Sequence, residues 1–183
     1  MRRFVVVTGL PATGKTTLAA GVAQALGWPH FDKDQLLEQL FDDEGVGDAR
    51  WRTALSKRAD GLLKASACSV ANAVVSSWWR HPASADDSGA STHWLAQQQT
   101  SVIELHCLCS PTVATNRFLA RKRHRGHLDG RWSFHELLER YTAQSELGPL
   151  FPGKVIKVDT RDTMAQRSIQ ALAHQIMQSL PSV

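Results

Sequence analysis

The feature that most constrains the fold of this sequence is a short stretch near its N-terminus. Residues 4–8 form an apolar, β-branched run that predicts a buried strand, and from Lys15 to Leu26 the apolar residues recur at helical spacing. The loop between them reads, in order, Gly9, Leu10, Pro11, Ala12, Thr13, Gly14, Lys15 and Thr16. It matches G-x-x-x-x-G-K-[ST], the pattern of a phosphate-binding P-loop, in the strand–loop–helix context that this motif requires.

The chemistry of the P-loop predicts a site for a nucleoside triphosphate. Glycines let backbone N–H groups turn toward a phosphate, and the start of the helix adds its positive dipole. We expect Lys15 to reach the β- and γ-phosphates and the hydroxyl of Thr16 to coordinate Mg²⁺. ATP is therefore predicted to lie against residues 9–17, with Thr17 included.

Short strands and helices alternate along the rest of the chain. Further strands are predicted at residues 29–32, 73–77, 101–108 and 155–158, and further helices at 49–68, 112–123, 134–147 and 164–180, with weaker helical patterns at 35–41 and 94–96. This alternation predicts an α/β fold, in which a parallel sheet carries helices on both faces and binds ligands at the carboxyl ends of its strands. We expect residues 1–183 to form one domain.

Composition excludes several classes of protein. Hydrophobic residues make up 43% of the chain and charged residues 21%, which excludes a disordered protein. No apolar run approaches the roughly 18 residues of a membrane helix. Three cysteines, an odd and small number, favour a reducing compartment. We therefore expect a soluble cytoplasmic protein, a monomer or a homodimer, with no membrane partner.

Positive charge is concentrated in residues 117–131. This segment holds six of the 21 basic residues and a single acid, whereas the rest of the chain has a net charge of −1. The basic residues are Arg117, Arg121, Lys122, Arg123, Arg125 and Arg131. The spacing of four between Arg117 and Arg121 places them on one helical face, and Gly126 and Gly130 follow. The pattern predicts a lid that closes over ATP, because crowded cations repel one another without an anion. A solvated charged surface is the alternative.

Two carboxylates follow the second predicted strand, as Asp32-Lys33-Asp34. Side chains two residues apart point the same way if the strand geometry continues. One carboxylate can then reach Mg²⁺ through water, and the other can orient and deprotonate the hydroxyl of an acceptor. We expect Asp32 near the metal and both residues near the acceptor, with a helix N-cap at Asp34 as the alternative.

The third predicted strand ends in Ser76-Ser77-Trp78-Trp79-Arg80. A Walker B aspartate is expected near the end of this strand, but Ser77 stands there and brings no charge. Trp78, Trp79 and Arg80 are predicted to form a wall of the acceptor site, with aromatic faces for a ring and a guanidinium for an anion. Core packing of a tryptophan and a surface ion pair of Arg80 are the alternatives.

Together these motifs resemble those of the small P-loop kinases, which include gluconate and shikimate kinases, chloramphenicol phosphotransferase, zeta toxins and the kinase domain of polynucleotide kinases. The matching pieces are the P-loop, Asp32-x-Asp34, and Arg117-x-x-x-Arg121 with the basic loop after it. The resemblance implies a five-stranded parallel sheet in the order 2-3-1-4-5. It also implies a kinase that transfers the γ-phosphate of ATP, with Mg²⁺, to a hydroxyl of a small molecule such as a sugar, a sugar acid or an antibiotic.

The resemblance also implies roles for individual residues. Those expected to act on the transferred phosphate are Lys15, Asp34 as the base, Arg121 and Arg125. Those expected to bind the nucleotide beside the P-loop are Arg117, Arg121 and Thr160. Thr160 follows the fifth strand, together with Arg161 and Asp162, and is expected near adenine.

Two other functions stay open. A polynucleotide 5′-hydroxyl kinase is disfavoured, because residues 32–48 hold seven acids against Lys33 alone, and such a rim repels a polyanion. A nucleotide-binding regulatory module without turnover is kept open by the missing Walker B acid. We expect a small-molecule partner rather than a nucleic acid.

Overall fold

The computed structural model describes residues 1–85, 88–97, 100–162 and 164–180. Its strands are β1 (Arg2–Thr8), β2 (His30–Asp32), β3 (Asn72–Ser76), β4 (Thr100–Leu108) and β5 (Lys154–Asp159). Its α-helices are α1 (Lys15–Leu26), α2 (Lys33–Glu44), α3 (Ala49–Cys68), α4 (Pro111–Ala120), α5 (Phe134–Glu146) and α6 (Gln166–Ser179). Short 3₁₀ turns at Arg125–His127 and Asp129–Arg131 lie between α4 and α5. None of the helices described has both the length and the apolar character that a membrane span needs.

Within the described residues, five strands form one parallel sheet in the order β2-β3-β1-β4-β5. β1 lies at the centre, and its Val5 pairs with Val74 of β3 and with Ile103 of β4. The predicted fold class and strand order are confirmed. Because all strands run the same way, their carboxyl ends meet at one edge of the sheet, where the P-loop follows β1.

Both faces of the sheet are covered, and the side chains of β1 alternate between them. Val5 and Val7 pack in a core that includes Ile176 of α6. Phe4 and Val6 face the other way and pack in the core that contains α3. This explains why the strand is apolar at successive positions, as buried parallel strands are. Burial of each such side chain contributes roughly 1.5–3 kcal/mol, which holds β1 and the start of the P-loop in place.

The P-loop passes close to β4. Gly9 has a φ of +124°, and a Cβ at this position would lie 2.7 Å from the carbonyl oxygen of Cys107. Gly14 has a φ of 88° and is the N-cap of α1. Both glycines of the motif are therefore required by the path of the backbone, which other residues cannot follow without strain.

α2 extends beyond its predicted residues 35–41, and two other predicted helical stretches are shorter or absent in the structure. α4 ends at Ala120, three residues earlier than predicted, because Arg121 takes an extended conformation with a ψ of 145°. Residues 93–96 form turns rather than a helix, and Trp94 and Leu95 are buried in the core there. In both places tertiary contacts outweigh a short helical pattern.

Candidate active site

A cleft of about 500 Å³ opens at the carboxyl edge of the sheet. It is lined by the P-loop, the end of β2, residues of α2, α3 and α5, and the segment 117–131, which we call the lid. Among the described charged side chains that line it, eight are basic and three are acidic. This excess of cations suits a polyanion such as the phosphates of a nucleotide.

Lys15, the first residue of α1, lies across its own loop. Its Nζ donates to the carbonyl oxygens of Gly9 (3.1 Å) and Leu10 (2.7 Å). Burial lowers the pKa of Lys15 from 10.5 to about 8, although the carboxylate of Asp34 acts in the opposite direction. A phosphate bound at the loop would pair with this amine and raise its pKa again.

Asp32 ends β2 and is the N-cap of α2. Its Oδ1 accepts from the backbone N–H groups of Asp34 (2.8 Å) and Gln35 (3.2 Å), and its Oδ2 accepts from the hydroxyls of Thr16 (2.9 Å) and Ser76 (2.5 Å). Asp32 is 4% exposed, and these four bonds use the usual acceptor positions of a carboxylate. The helix cap is therefore Asp32 and not Asp34. Asp32 orients Thr16 rather than presenting a free oxygen to a metal.

Asp34 lies in the first turn of α2 with its carboxylate in the cleft. Its Oδ2 lies 2.5 Å from Nη2 of Arg123 in the lid, and its side chain is 48% exposed. Partial burial works to raise the pKa of Asp34, but Arg123, His127 and Lys15 outweigh it and hold the pKa below its usual range. Asp34 is therefore ionised at neutral pH, at a point between the P-loop and the lid.

The lid carries part of its positive charge in an ion-pair network. Oδ2 of Asp129 lies 3.1 Å from Arg121 and 3.3 Å from Arg123. The guanidinium of Arg121 also lies over Phe118, 4.2 Å from the centre of its ring. Together with Asp34, Asp129 offsets the repulsion that the sequence predicted among these cations. The predicted repulsion is therefore reduced at Arg121 and Arg123, because Asp129 of the lid pairs with both and Asp34, distant in the sequence, pairs with Arg123.

Part of the lid is packed on α2. Nε2 of the buried His127 lies 2.7 Å from Oε1 of Glu38, and His124 stacks on Phe41 with ring centres 5.2 Å apart. A Cβ at Gly126 would lie 2.5 Å from the ring of Phe41, so the chain is in close contact there. Of the acids on α2, Asp34 pairs with a permanently charged group of the lid, Arg123, and Glu38 contacts His127.

Arg117 connects α4 to the end of β5. It donates to the backbone carbonyl oxygen of Thr160 at 3.0 Å and also to that of Arg161. A second cavity of about 340 Å³ lies here, and its lining includes Gly14, Thr17, Arg117, Thr160 and Asp162. The structure thus brings Thr160 beside the P-loop, which the predicted contact with adenine requires.

A family comparison bears on this site. The model of the AAA_33 family, whose description is AAA domain, matches residues 4–140. The chain belongs to the AAA_33 family. The matched stretch includes the P-loop, both carboxylates at the start of α2, and the lid. No curated protein matches the chain in a sequence comparison.

Solved structures with a similar fold cover almost the whole AAA_33 chain. A protein of Chloroflexus aurantiacus described as a candidate kinase is 27% identical, with a TM-score of 0.80, over 98% of this chain and 99% of its own. A gluconokinase of Sinorhizobium meliloti is 19% identical, with a TM-score of 0.59, over 98% and 97% of the two chains. A shikimate kinase of Bacteroides thetaiotaomicron is 17% identical, with a TM-score of 0.54, over 96% and 97%. The fold is therefore the P-loop NTPase fold that the motifs predicted.

The residues that follow β3 in this AAA_33 protein divide between cleft and core. Ser77 and Trp78 line the cleft, and Nε1 of Trp78 donates to Oγ of Ser88 at 3.2 Å. Trp79 is 3% exposed, packs in the core and donates from Nε1 to a backbone carbonyl of β1 at 3.0 Å. Trp79 is thus not part of the cleft wall, a correction that follows from the alternation of side chains in extended backbone. Arg80 is not among the described residues that line the cleft.

Only some of the lid arginines line the cleft. Arg121 and Arg123 line the cleft, whereas Arg125 is exposed on a 3₁₀ turn and does not line it. The helical spacing used for prediction stops applying after Ala120. From there the chain is extended, so alternate residues face the cleft and Lys122 between them is exposed. Arg123, rather than Arg125, is therefore the lid arginine that faces the cleft together with Arg121.

Three further arginines of the cleft were not predicted as site residues. They are Arg52 of α3, Arg131 of the lid and Arg140 of α5. Arg52 and Ser56 are four residues apart and line the same wall. Nothing in the local sequence separates Arg52 from Arg58 of the same helix, which pairs with Glu44 instead. Only the packing of α3 beside α2 brings Arg52 to the cleft.

Proposed function

We propose that this chain is an ATP-dependent kinase that transfers the γ-phosphoryl group of ATP to a hydroxyl of a small molecule. The observation that carries the proposal is the position of Asp34, an ionised carboxylate in the cleft between Lys15 of the P-loop and Arg123 of the lid. A carboxylate so placed can accept the proton of an incoming hydroxyl. The relative of 27% identity, a candidate kinase, supports this class of reaction.

In this proposal the P-loop binds the triphosphate. The backbone N–H groups of the loop and the N-terminus of α1 bind phosphate oxygens. Lys15 exchanges its bonds to the carbonyl oxygens of Gly9 and Leu10 for the β- and γ-phosphates. Adenine occupies the cavity beside Arg117 and Thr160, where the described lining is partly apolar.

The residues present fit a Mg²⁺ ion that arrives with the nucleotide. Thr16 donates its hydroxyl hydrogen to Asp32, which leaves the lone pairs of its oxygen for a cation. Mg²⁺ is usually held by one or two protein oxygens together with phosphate oxygens and water. Thr16 would hold the ion and Asp32 would keep Thr16 oriented. When bound, the ion neutralises charge on the phosphates.

Asp34 then acts on the acceptor. The acceptor oxygen forms a bond to the γ-phosphorus while the bond from that phosphorus to the β–γ bridging oxygen breaks. The hydroxyl proton passes to Asp34, and the electron pair of the broken bond leaves with ADP. The ion pair between Arg123 and Asp34 must first break. Arg123 can then face the transferred phosphoryl group together with Arg121, and Asp34 is free to contact the acceptor. Phosphoryl transfer therefore depends on a movement of the lid.

The size of the cleft supports a small acceptor. Its volume of about 500 Å³ falls within the range of small-molecule sites, roughly 300–1,000 Å³. Trp78 and Trp132 line it and offer aromatic surface to the carbon skeleton of an acceptor.

The test is an acceptor screen. Purified protein with ATP and Mg²⁺ is mixed with pooled small hydroxyl compounds, and ADP release is measured; we expect release that depends on an acceptor. Asp34→Asn is expected to reduce turnover by about 10²–10⁴-fold while ATP binding is retained. Asp43→Asn, exposed on the same helix, is the matched control.

Two outcomes contradict the proposal. ATP that binds but is not consumed with any acceptor favours a regulatory module. Turnover confined to oligonucleotides with a free 5′-hydroxyl favours a polynucleotide kinase.

A further inference from the structure

The half of the cleft that lies away from adenine carries cations of its own. The sheet order places β4 and β5, with Arg117 and Thr160, on one side of the P-loop, and β2 and β3, with α2 and α3, on the other. Arg52 of α3 lines this second side, and the charge of Arg131 acts on Arg52. Neither guanidinium belongs to the P-loop, whose own cation is Lys15.

The Nε–H group of Arg52 lacks a hydrogen-bond acceptor among the described residues. The Nε atom is completely buried. A buried N–H group without an acceptor destabilises the folded protein. Burial lowers the pKa of Arg52 most, followed by the charge of Arg131, while Asp129 and Asp34 act in the opposite direction.

The carboxylates nearby are already engaged. Asp34 and Asp129 pair with arginines of the lid. In the part of the chain that the structure describes, neither Arg52 nor Arg131 has a carboxylate within ion-pair distance. Among the described residues, these two neighbouring guanidinium groups therefore lack an ion-pair partner, although Asp129 and Asp34 act on Arg52 electrostatically.

The setting of Arg131 also favours a ligand. Its guanidinium lies 5.4 Å from the ring centre of Trp132. The guanidinium of Arg140 lies 5.2 Å from the same ring centre. Arg140 is engaged, since it donates to Oγ of Ser88 at 2.7 Å. Arg131 is exposed and its planar group can bind an anion through two N–H bonds.

We propose that the acceptor carries an acidic group, a carboxylate or a phosphate monoester, which binds between Arg52 and Arg131 while its hydroxyl reaches Asp34. This inference rests on the proposed function and narrows its substrate to hydroxy acids or phosphorylated alcohols. A neutral sugar or alcohol leaves both guanidinium groups unpaired and is discriminated against for that reason.

The experiment compares matched acceptors. The panel holds aldonic acids with the corresponding aldoses, alicyclic hydroxy acids with their amides, and sugar phosphates with the free sugars. We expect kcat/KM to favour an acid over its neutral partner by about 100-fold or more. Whether the preferred acids are carboxylates or phosphates identifies the source of the anion.

Variants locate the effect. Arg52→Gln and Arg131→Gln are each expected to raise KM for the acid by about 10–100-fold, with KM for ATP unchanged. Arg58→Gln, on the same helix and paired with Glu44 at 2.6 Å outside the cleft, is the control and should change neither constant. Because Arg131 is exposed, its variant keeps the test valid if Arg52→Gln does not fold.

Binding without turnover separates this inference from the proposed function. The acids are titrated by calorimetry into protein loaded with a non-hydrolysable ATP analogue, where wild type is expected to bind them more tightly than either variant. If the acids bind but no phosphoryl group is transferred, the proposed kinase activity is contradicted while the proposed anion site is supported. Equal kcat/KM for acids and their neutral partners, no acid binding, or a preference unchanged in both variants would overturn the inference.

Discussion

Nη2 of Arg123 lies 2.5 Å from Oδ2 of Asp34, so an ion pair joins the lid to the first turn of α2 across the cleft. This carboxylate is the proposed proton acceptor, and an acceptor hydroxyl needs the same oxygen. In the proposed function Arg123 has two partners, Asp34 before the nucleotide binds and the phosphates of ATP once it is bound. We expect ATP to draw Arg123 away from Asp34, because it offers the guanidinium a more highly charged partner.

Arg123→Gln is expected to move the pH dependence of turnover. Arg123 is the strongest of the charges that lower the pKa of Asp34, so its removal raises that pKa. Because Asp34 must be ionised to act, the acid limb of the kcat/KM profile shifts to higher pH. Lys122→Gln removes the same charge from an exposed neighbour and should leave the limb in place. An acid limb that is identical in wild type and Arg123→Gln would contradict the assigned role of the pair.

ATP binding is expected to weaken as the pH rises through about 8, the pKa of the half-buried Lys15. ATP binds more tightly when the amine of Lys15 is protonated, so near this pH the binding of ATP is accompanied by proton uptake at Lys15. Above it, affinity falls by up to about tenfold per pH unit. Calorimetry in two buffers of different ionisation enthalpy measures the proton uptake. Lys15→Arg stays charged throughout this range and should bind with a flat pH dependence. If the variant reproduces the slope of wild type, another group is responsible.

Gly126→Ala is expected to loosen the lid. The added Cβ would lie 2.5 Å from Phe41, within a buried contact, so the 3₁₀ turn must move away from α2. Such overpacking costs about 1–3 kcal/mol, which corresponds to roughly 5–150-fold faster hydrogen exchange at residues 124–128. Gly130→Ala is the control, because nothing lies within 4 Å of a Cβ there. Equal exchange in the two variants would show that the lid does not rely on Phe41.

Glu104 of β4 is expected to make stability depend on acid pH. Its fully buried carboxylate accepts from the hydroxyl of Thr8 at 2.6 Å and from the N–H groups of Leu150 and Phe151, both at 3.0 Å. Burial alone raises the pKa of Glu104, but hydrogen bonds from His106, Thr8 and the two N–H groups lower it below 4.5. The stabilisation is therefore present above pH 4.5 and lost as the pH falls through the pKa of the folded state.

Glu104→Gln tests this carboxylate. The amide cannot accept all of these bonds, so we expect a loss of about 1.5–3 kcal/mol at neutral pH and a flatter decline in stability below pH 4.5. Urea unfolding at a series of pH values measures both effects. Glu146→Gln, at the exposed end of α5, is the control. A variant as stable as wild type at pH 7 would show that Glu104 does not hold the segment before β5.

Much of the fold followed from local patterns. The apolar run of β1 alternates between two cores, and the glycines at positions 9 and 14 have backbone angles that their motif requires. Such features depend on neighbours within a few residues, so periodicity and turn chemistry are enough to predict them. The sheet order then followed from the resemblance that the motifs carried.

The assignment of particular side chains to the site was decided by tertiary structure. Asp32 caps α2 through Oδ1, while its Oδ2 is held by the hydroxyl of Ser76, 44 residues away. Trp78 reaches the cleft while Trp79 enters the core, and Arg52 reaches the cleft only because α3 packs beside α2. Residues of one type in similar local sequence take different roles because hydrogen bonds, ion pairs and packing join groups that are far apart in the chain. The sequence by itself therefore determined the P-loop and the class of fold, and the three-dimensional contacts decided which acids and arginines face the cleft.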